Sequence, residues 1–302
     1  DRLDRRHGSR RRRRMRRRRN AFLLILAVTM LLLSGMIAAV CGVIQNIDTQ
    51  NIEKKLESEQ KNNAGEETGA GGKSDSEISY KTDGLAICMY HFLYDEADPP
   101  DNLGYYYIEI QTLESELQYL AENAYYFPTW QEVKDYVNGD LRLPEKSVVL
   151  TFDDGSESFL ELGIPLLEKY QIPATAFLIT GSDGERKVRE YQSRYVTFES
   201  HSDRLHQDVG RHGEGGIFSD MSYEDILSDL KRSIDICGNR DAFAYPYGDY
   251  TDSCLMAVRD AGFTCAVTTE NRRAEVGDDP LRLPRLRMLR EQTLEDFISM
   301  VE

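Results

Sequence analysis

The chain has 302 residues with 37 basic and 52 acidic side chains, a net charge of −15 and 40% hydrophobic residues. Twelve arginines stand against two aspartates within residues 1–19, so the rest carries 25 basic and 50 acidic side chains. Such asymmetry separates a basic tail from an acidic body, and it excludes a uniformly basic nucleic-acid binder.

Residues 1–20 alone are compatible with nucleic-acid binding, but the adjoining segment decides otherwise. Ala21 to Ile44 is free of charged residues and rich in Leu, Ile, Val, Ala and Met. At about 1.5 Å per residue, a helix of that length crosses the roughly 30 Å hydrocarbon core of a bilayer. Basic residues beside such a span mark its cytoplasmic side. Residues 21–44 are therefore expected to form one signal-anchor helix, with a cytoplasmic tail and an extracytoplasmic body at the cell membrane. Cleavage at Ile37-Ala38-Ala39 is the alternative. No nucleic acid is expected as a partner.

Residues 45–83 are polar and poor in aromatics (KNNAGEETGAGGKSDSE) and read as a flexible linker. Residues 84–302 suffice for one domain with a sizeable core. Within them, strand-length apolar runs alternate with helical spacing. Leu85–Tyr90, Ser147–Phe152, Ala174–Thr180, Tyr195–Ser200, Ala242–Tyr245 and Thr264–Thr269 read as buried strands. Thr112–Asn123, Trp130–Val137, Ser158–Tyr170, Tyr223–Cys237 and Ser253–Ala261 read as helices, with Gly262 as a C-cap. The alternation predicts an α/β fold with a parallel sheet, open or closed into a barrel. Residues 181–194 read as a short polar connection. Cys237 and Cys254 flank one strand at opposite ends of the unit, so no disulfide is expected between them, and no metal-type CxxC spacing occurs.

Three motifs fall at the ends of these strands. VVLTFDDG (Val148–Gly155) sets two adjacent carboxylates at the end of an apolar strand. Neighbouring side chains diverge, so one carboxylate can hold a metal while the other faces a water. An Asp-rich turn is the alternative, and an EF-hand is excluded because its alternating Asp/Asn positions are missing. HSDRLH (His201–His206) pairs two of the five histidines. On a regular helix a five-residue separation leaves the two rings about 140° apart, whereas at a strand end followed by a turn they can converge. Two imidazoles and one carboxylate form a catalytic zinc set; two exposed loop histidines are the alternative. In AFAYPYGDY (Ala242–Tyr250), Pro246 fixes a turn and Gly248 permits close backbone approach.

In the order TFDDG, HSxxxH and a strand ending in PYG, the pieces resemble the polysaccharide deacetylase (NodB-homology) family, carbohydrate esterase family 4. The resemblance spans about residues 84–302. The opening CMYHF and closing LPRLRM are similar to the poly-N-acetylglucosamine and cell-wall deacetylase branch. It implies a distorted (β/α) barrel and a divalent metal, zinc foremost with cobalt or nickel as alternatives, held by Asp154, His201 and His206. Asp153 would be the general base, the metal and the Tyr247 backbone N–H would stabilise the oxyanion beside Pro246, and Ser202 would support the histidine loop by hydrogen bonding.

Two departures from the family pattern stand out. Phe243-Ala244-Tyr245 replaces the segment in which an arginine commonly orients the catalytic aspartate. Arg285 is the expected substitute, a surface ion pair being its alternative. No histidine follows His212 in these 302 residues. His91, ending the first strand, is therefore the candidate general acid, a core role being its alternative. The expected activity is hydrolysis of N-acetyl groups on amino sugars of an envelope polysaccharide, peptidoglycan or poly-N-acetylglucosamine. An inactive glycan-binding module and an O-acetyl xylan esterase are the competing readings. Tyr105, Tyr106, Tyr107, Trp130 and Tyr250 are candidates for sugar stacking or for packing.

Overall fold

The structure, a computed structural model, describes residues 79–302 apart from residues 212 and 214. The predicted tail, membrane span and most of the linker lie outside the described residues. Among the described residues no helix is long and apolar enough to cross a membrane.

Strands β1 (Ala86–Tyr90), β4 (Val148–Phe152), β5 (Ala174–Leu178), β6 (Val196–Ser200), β7 (Ala242–Ala244), β8 (Cys265–Val267) and β9 (Leu286–Arg287) form one sheet in the order β8-β7-β6-β5-β4-β1-β9. Every pairing in it is parallel. Two three-residue strands, β2 (Phe92–Tyr94) and β3 (Tyr107–Glu109), pair separately after the first strand. Helices α1 (Ile110–Glu122), α2 (Trp130–Val137), α3 (Ile164–Tyr170), α4 (Gly184–Glu190), α5 (Tyr223–Cys237), α6 (Asp252–Ala261) and α7 (Leu294–Val301) supply the crossovers and the end of the chain. The sheet is curled. Leu283 bridges to Val267 at one edge, and three residues on Leu286 pairs with Cys88 at the other. Residues 283–287 thus span the gap between the outermost strands.

The strands are apolar throughout because both faces are covered. Their period of two divides the core. Leu85, Ile87, Val149, Phe177, Ala242, Ala244, Cys265 and Val267 face inward with Trp130, Val133 and Tyr136 of α2. Ala86, Cys88, Leu150, Phe152, Ala176 and Leu178 face outward onto α1, α3 and α7, and Phe243 and Ala266 onto α5 and α6. Helix α2 starts on a capping box between Thr129 and Glu132, which satisfies backbone donors at its first turn. In α1, Leu113, Leu117 and Leu120 are fully buried, each worth about 1.5–3 kcal/mol of transfer energy.

The expected strands and helices are present with ends shifted by at most two residues, and Ser158–Tyr170 opens with a wide (π) turn at Phe159–Gly163. Residues 181–194 form a short polar connection as expected, and they are not irregular. They contain α4, in which buried Lys187 donates to the Gly155 carbonyl at 2.8 Å. Hydrogen bonding also begins before residue 84: Lys81 N–H donates to Leu143 O, and Glu145 N–H to Ser79 O. Cys88, Cys237, Cys254 and Cys265 are all free and buried.

Candidate metal centre and active site

The inward register of β4 sets up the site. Val149 and Thr151 point into the curl, and two residues on Asp153 does the same, 2% exposed. Arg285 meets it from residues 283–287 and is completely buried. Its Nη1 donates to Asp153 Oδ1 and its Nη2 to Asp153 Oδ2, both at 2.7 Å. Thr151 Oγ1 accepts from Nη1 at 3.0 Å and the Thr268 carbonyl from Nε at 3.0 Å, so the fork is fixed at three nitrogens. Burial by itself would raise the Asp153 carboxyl. The Arg285 charge and hydrogen bonds overcome that and hold it well below the ordinary carboxylate range. Asp153 is therefore an ionised group in a dry position.

Asp154 turns the other way with φ +68°, a left-handed conformation. Gly155 follows at φ +60°, where a Cβ would come within 2.2 Å of Leu178 Cδ2, so the motif requires glycine there. Asp154 Oδ1 lies 3.6 Å from His201 Nε2 and 3.5 Å from His206 Nε2, and the ligating atoms of the three all lie within 4.8 Å of one another. For ligand bonds of 2.0–2.2 Å, a tetrahedral edge is about 3.4 Å, close to those separations. His201 Nδ1–H donates to the Ala244 carbonyl at 2.7 Å, which leaves the Nε2 lone pair facing the cluster. Burial lowers His201 to about 3 and also lowers His206, keeping both rings neutral as a metal ligand must be. Burial and the Asp153 charge push Asp154 up to about 7. A half-buried carboxylate that is unfavourable as a lone anion beside two neutral imidazoles fits a divalent cation.

The five-residue separation of the histidines is solved by a turn. Ser202 adopts φ +69° immediately after His201. Asp229 of α5 then accepts from two backbone N–H groups between the histidines, Asp203 at 2.8 Å and Arg204 at 2.7 Å. Ser200 Oγ accepts from Ser202 N–H at 3.1 Å. The expected hydrogen bonding of Ser202 runs through its backbone, whose carbonyl also accepts from Thr180 N–H at 3.1 Å, while its Oγ is buried with no partner among the described residues. Its φ shapes the loop, and Asp229 holds it.

These groups open into one cavity of about 430 Å³, lined also by Met89, His91, Tyr106, Tyr245, Tyr247, Thr269 and Arg287. His91 Nε2 stands 3.9 Å from Asp153 Oδ2 and its ring packs on Tyr106 at 4.6 Å. Burial lowers its pKa. Pro246 is buried in the turn after β7, Tyr247 takes φ +61°, and its ring stacks on His206 at 4.6 Å. Of the predicted metal, catalytic and oxyanion residues, all but Pro246 and Arg285 line this cavity; Pro246 lies in the turn next to Tyr247, and Arg285 sits behind Asp153, while of the stacking candidates Tyr106 alone lines it. Thr268 and Asp229 carry no signal of their own in the sequence; Thr151 falls within TFDDG and Arg287 within LPRLRM, but neither motif singles them out.

Asp154, His201 and His206 form a set that could hold one metal ion at the C-terminal ends of parallel strands, with the Asp153 carboxylate beside it, an arrangement of the kind that metal-dependent hydrolases use. Residues 140–266 match the polysaccharide deacetylase family model. The chain is 29% identical over 198 residues to the poly-β-1,6-N-acetyl-D-glucosamine N-deacetylase of Staphylococcus epidermidis, covering 60% of this chain and 68% of that one. It is 26% identical over 253 residues to the enzyme of the same name from Staphylococcus aureus MSSA476, covering 75% and 86%. The fold superposes on a Streptococcus pyogenes deacetylase, PplD, in complex with acetate, with TM-score 0.63, 25% identity and 73% of this chain against all of that one. A de-N-acetylase from Aggregatibacter actinomycetemcomitans gives TM-score 0.60 at 23% identity, covering 72% of this chain and 100% of that one. The chain carries a domain of the polysaccharide deacetylase family.

Proposed function

We propose that the chain is a metal-dependent N-deacetylase of an amino-sugar polymer, with β-1,6-linked poly-N-acetylglucosamine as the first substrate to try. One observation carries the reading: an ionised Asp153, locked by Arg285, shares a cavity with the Asp154–His201–His206 cluster. The reading takes the curled sheet as the distorted (β/α) barrel of such enzymes, and zinc as the metal.

Asp154, His201 and His206 would hold that metal, which supplies Lewis acidity and lowers the pKa of a bound water from 15.7 to about 7. Asp153 takes the proton from the attacking water as its oxygen bonds to the acetyl carbon. Arg285 keeps Asp153 ionised and aimed, because both carboxylate oxygens are engaged by one rigid fork. As the C–N bond breaks, the amine needs a proton. Asp153 Oδ2, 3.9 Å from His91 Nε2, can pass that ring the proton taken from water after a shift of roughly 0.7 Å to hydrogen-bonding distance, and the imidazolium then gives it to the amine. Water adds to the acetyl group, acetic acid departs and the amine keeps the transferred proton, so atoms and charge balance; the acid then ionises in solvent. The neutral state that burial gives His91 sets it to relay a proton rather than to store one.

An anchored enzyme outside the membrane, reached through residues 21–83, is the proposed setting; the uncharged run Ala21 to Ile44 supports it. The test is acetate release by the full chain from β-1,6-N-acetylglucosamine oligomers, chitooligosaccharides and peptidoglycan, before and after chelation. Metal-dependent release from the β-1,6 oligomers alone is expected. Release only from peptidoglycan would move the substrate, and release unaffected by chelation would overturn the metal reading.

A further inference from the structure

A polymer extends past a cavity of about 430 Å³, so sugars flanking the reacting unit must lie on the surface around the cavity. The structure sorts the aromatic rings near the site by the faces they have left. Tyr106 packs on His91 at 4.6 Å, and Tyr107 stacks on Phe92 at 5.0 Å. Tyr250 lies against Tyr245 at 5.2 Å. Trp130 is buried against Phe177 and its Nε1 donates to Thr175 at 2.9 Å, at the other end of the strands. Tyr105 differs. It is 70% exposed, one residue from the Tyr106 wall of the cavity, and among the described residues its side chain makes no ring contact or hydrogen bond.

Its backbone is nevertheless fixed on both sides. Arg290 N–H donates to the Tyr105 carbonyl at 2.9 Å, and Arg290 Nη1 donates to the Leu103 carbonyl at 2.9 Å. Phe92 N–H donates to the Tyr106 carbonyl at 3.2 Å. A large ring held in water from a clamped backbone, beside a catalytic cavity, is pre-organised for a ligand with an apolar face.

We propose that Tyr105 is a stacking platform for a pyranose ring of the polymer, a unit flanking the one that loses its acetyl group. The inference rests on the proposed function for its choice of ligand. The C–H face of an N-acetylglucosamine unit packs on the phenol ring, and its hydroxyls stay in water. The contact is apolar, so it is insensitive to salt, unlike capture by Arg287 or Arg290.

The full chain and its Tyr105→Ala and Tyr105→Phe variants are compared on monomeric and pentameric β-1,6 N-acetylglucosamine substrates. Tyr105→Ala is expected to raise KM for the pentamer about three- to tenfold, with kcat and the monomer kinetics held within about twofold. Tyr105→Phe is expected to behave as the parent. Equal kcat/KM for all three proteins on the pentamer overturns the platform, as does an equal loss on the monomer. Calorimetric binding of the pentamer separates this idea from the function it rests on. If the parent releases no acetate, the functional reading fails, while weaker pentamer binding by Tyr105→Ala still upholds the platform. No pentamer binding by the parent overturns it.

Discussion

Two carboxylates buried to almost the same degree behave in opposite ways. Asp153 sits in the mouth of the sheet at 2% exposure, and Glu116 lies between the sheet and α1 at 3%. Asp153 meets a bidentate guanidinium and is held ionised. Glu116 meets only the Tyr90 hydroxyl, which donates to it at 2.8 Å, and burial pushes it up to about 7. Partners, not depth, set the charge. At the mouth a guanidinium keeps Asp153 charged; in the helix–sheet layer Glu116, without a cation, is neutralised.

Backbone strain does not follow that division. Asp154, Ser202 and Tyr247 all take positive φ at the mouth, each at a cost of about 1–3 kcal/mol that the surrounding structure must offset. The opposite end also holds two such residues, Ala124 and Gln171, but its chemistry is different. It has the capped start of α2, the buried Trp130 and a smaller cavity of about 180 Å³ with no cluster of metal-ligating side chains among the described residues.

Breaking the Asp153 pair gives the largest expected effect. Arg285→Gln leaves an uncompensated buried carboxylate, so it should cost about 3–5 kcal/mol in denaturant unfolding, along with most of the activity. A loss under about 1 kcal/mol would mean that the pair does not hold the mouth together. Next comes the histidine turn. Asp229→Asn weakens an acceptor pair between the two histidines and should lower metal affinity about 10- to 100-fold in chelator competition. Unchanged affinity would show that the turn holds without Asp229.

The smallest effect sharpens the comparison from the Glu116 side. Its folded pKa of about 7 lies above the ordinary 4.5, so the unfolded chain releases its proton first as pH rises. The stability associated with the protonated group is intact below about pH 4.5 and is lost as pH rises toward about 7. Glu116→Gln does not titrate, so its advantage over the parent should grow across that window to about 3 kcal/mol or slightly more above pH 7. Parallel stability curves for the two proteins would show that Glu116 is not neutralised by burial.

Much of the fold and site is legible in the sequence, and the features that are not share a cause. The VVLTFDDG run is apolar on both faces and ends in carboxylates, so strand and site are both readable from local pattern. The histidine pair is readable too, but its convergence depends on Asp229, some 25 residues on in α5, beside the buried stripe of Ile226 and Leu230, and its backbone partners appear only once that helix is packed. Arg285 emerges from asking which cation could serve Asp153; its anchoring by Thr151 and Thr268 requires the sheet to be assembled. Helix α4 escapes a periodicity reading because GERKVRE has no apolar stripe. It is held by ion pairs of Arg186 with Asp183, Glu157 and Glu190, and by buried Lys187. Helix α7 does carry a signal, the Thr293–Asp296 capping box, which apolar periodicity alone does not reveal.

The most direct test of the mouth as a hydrolytic centre is Asp153→Asn in the full chain, with metal content and acetate release measured on the same preparation. About one metal bound per chain is expected in both proteins through Asp154, His201 and His206, with acetate release falling about 100-fold or more in the variant. Release that survives the substitution while metal stays bound would contradict Asp153 as the base and would place the proton transfer elsewhere in the cavity.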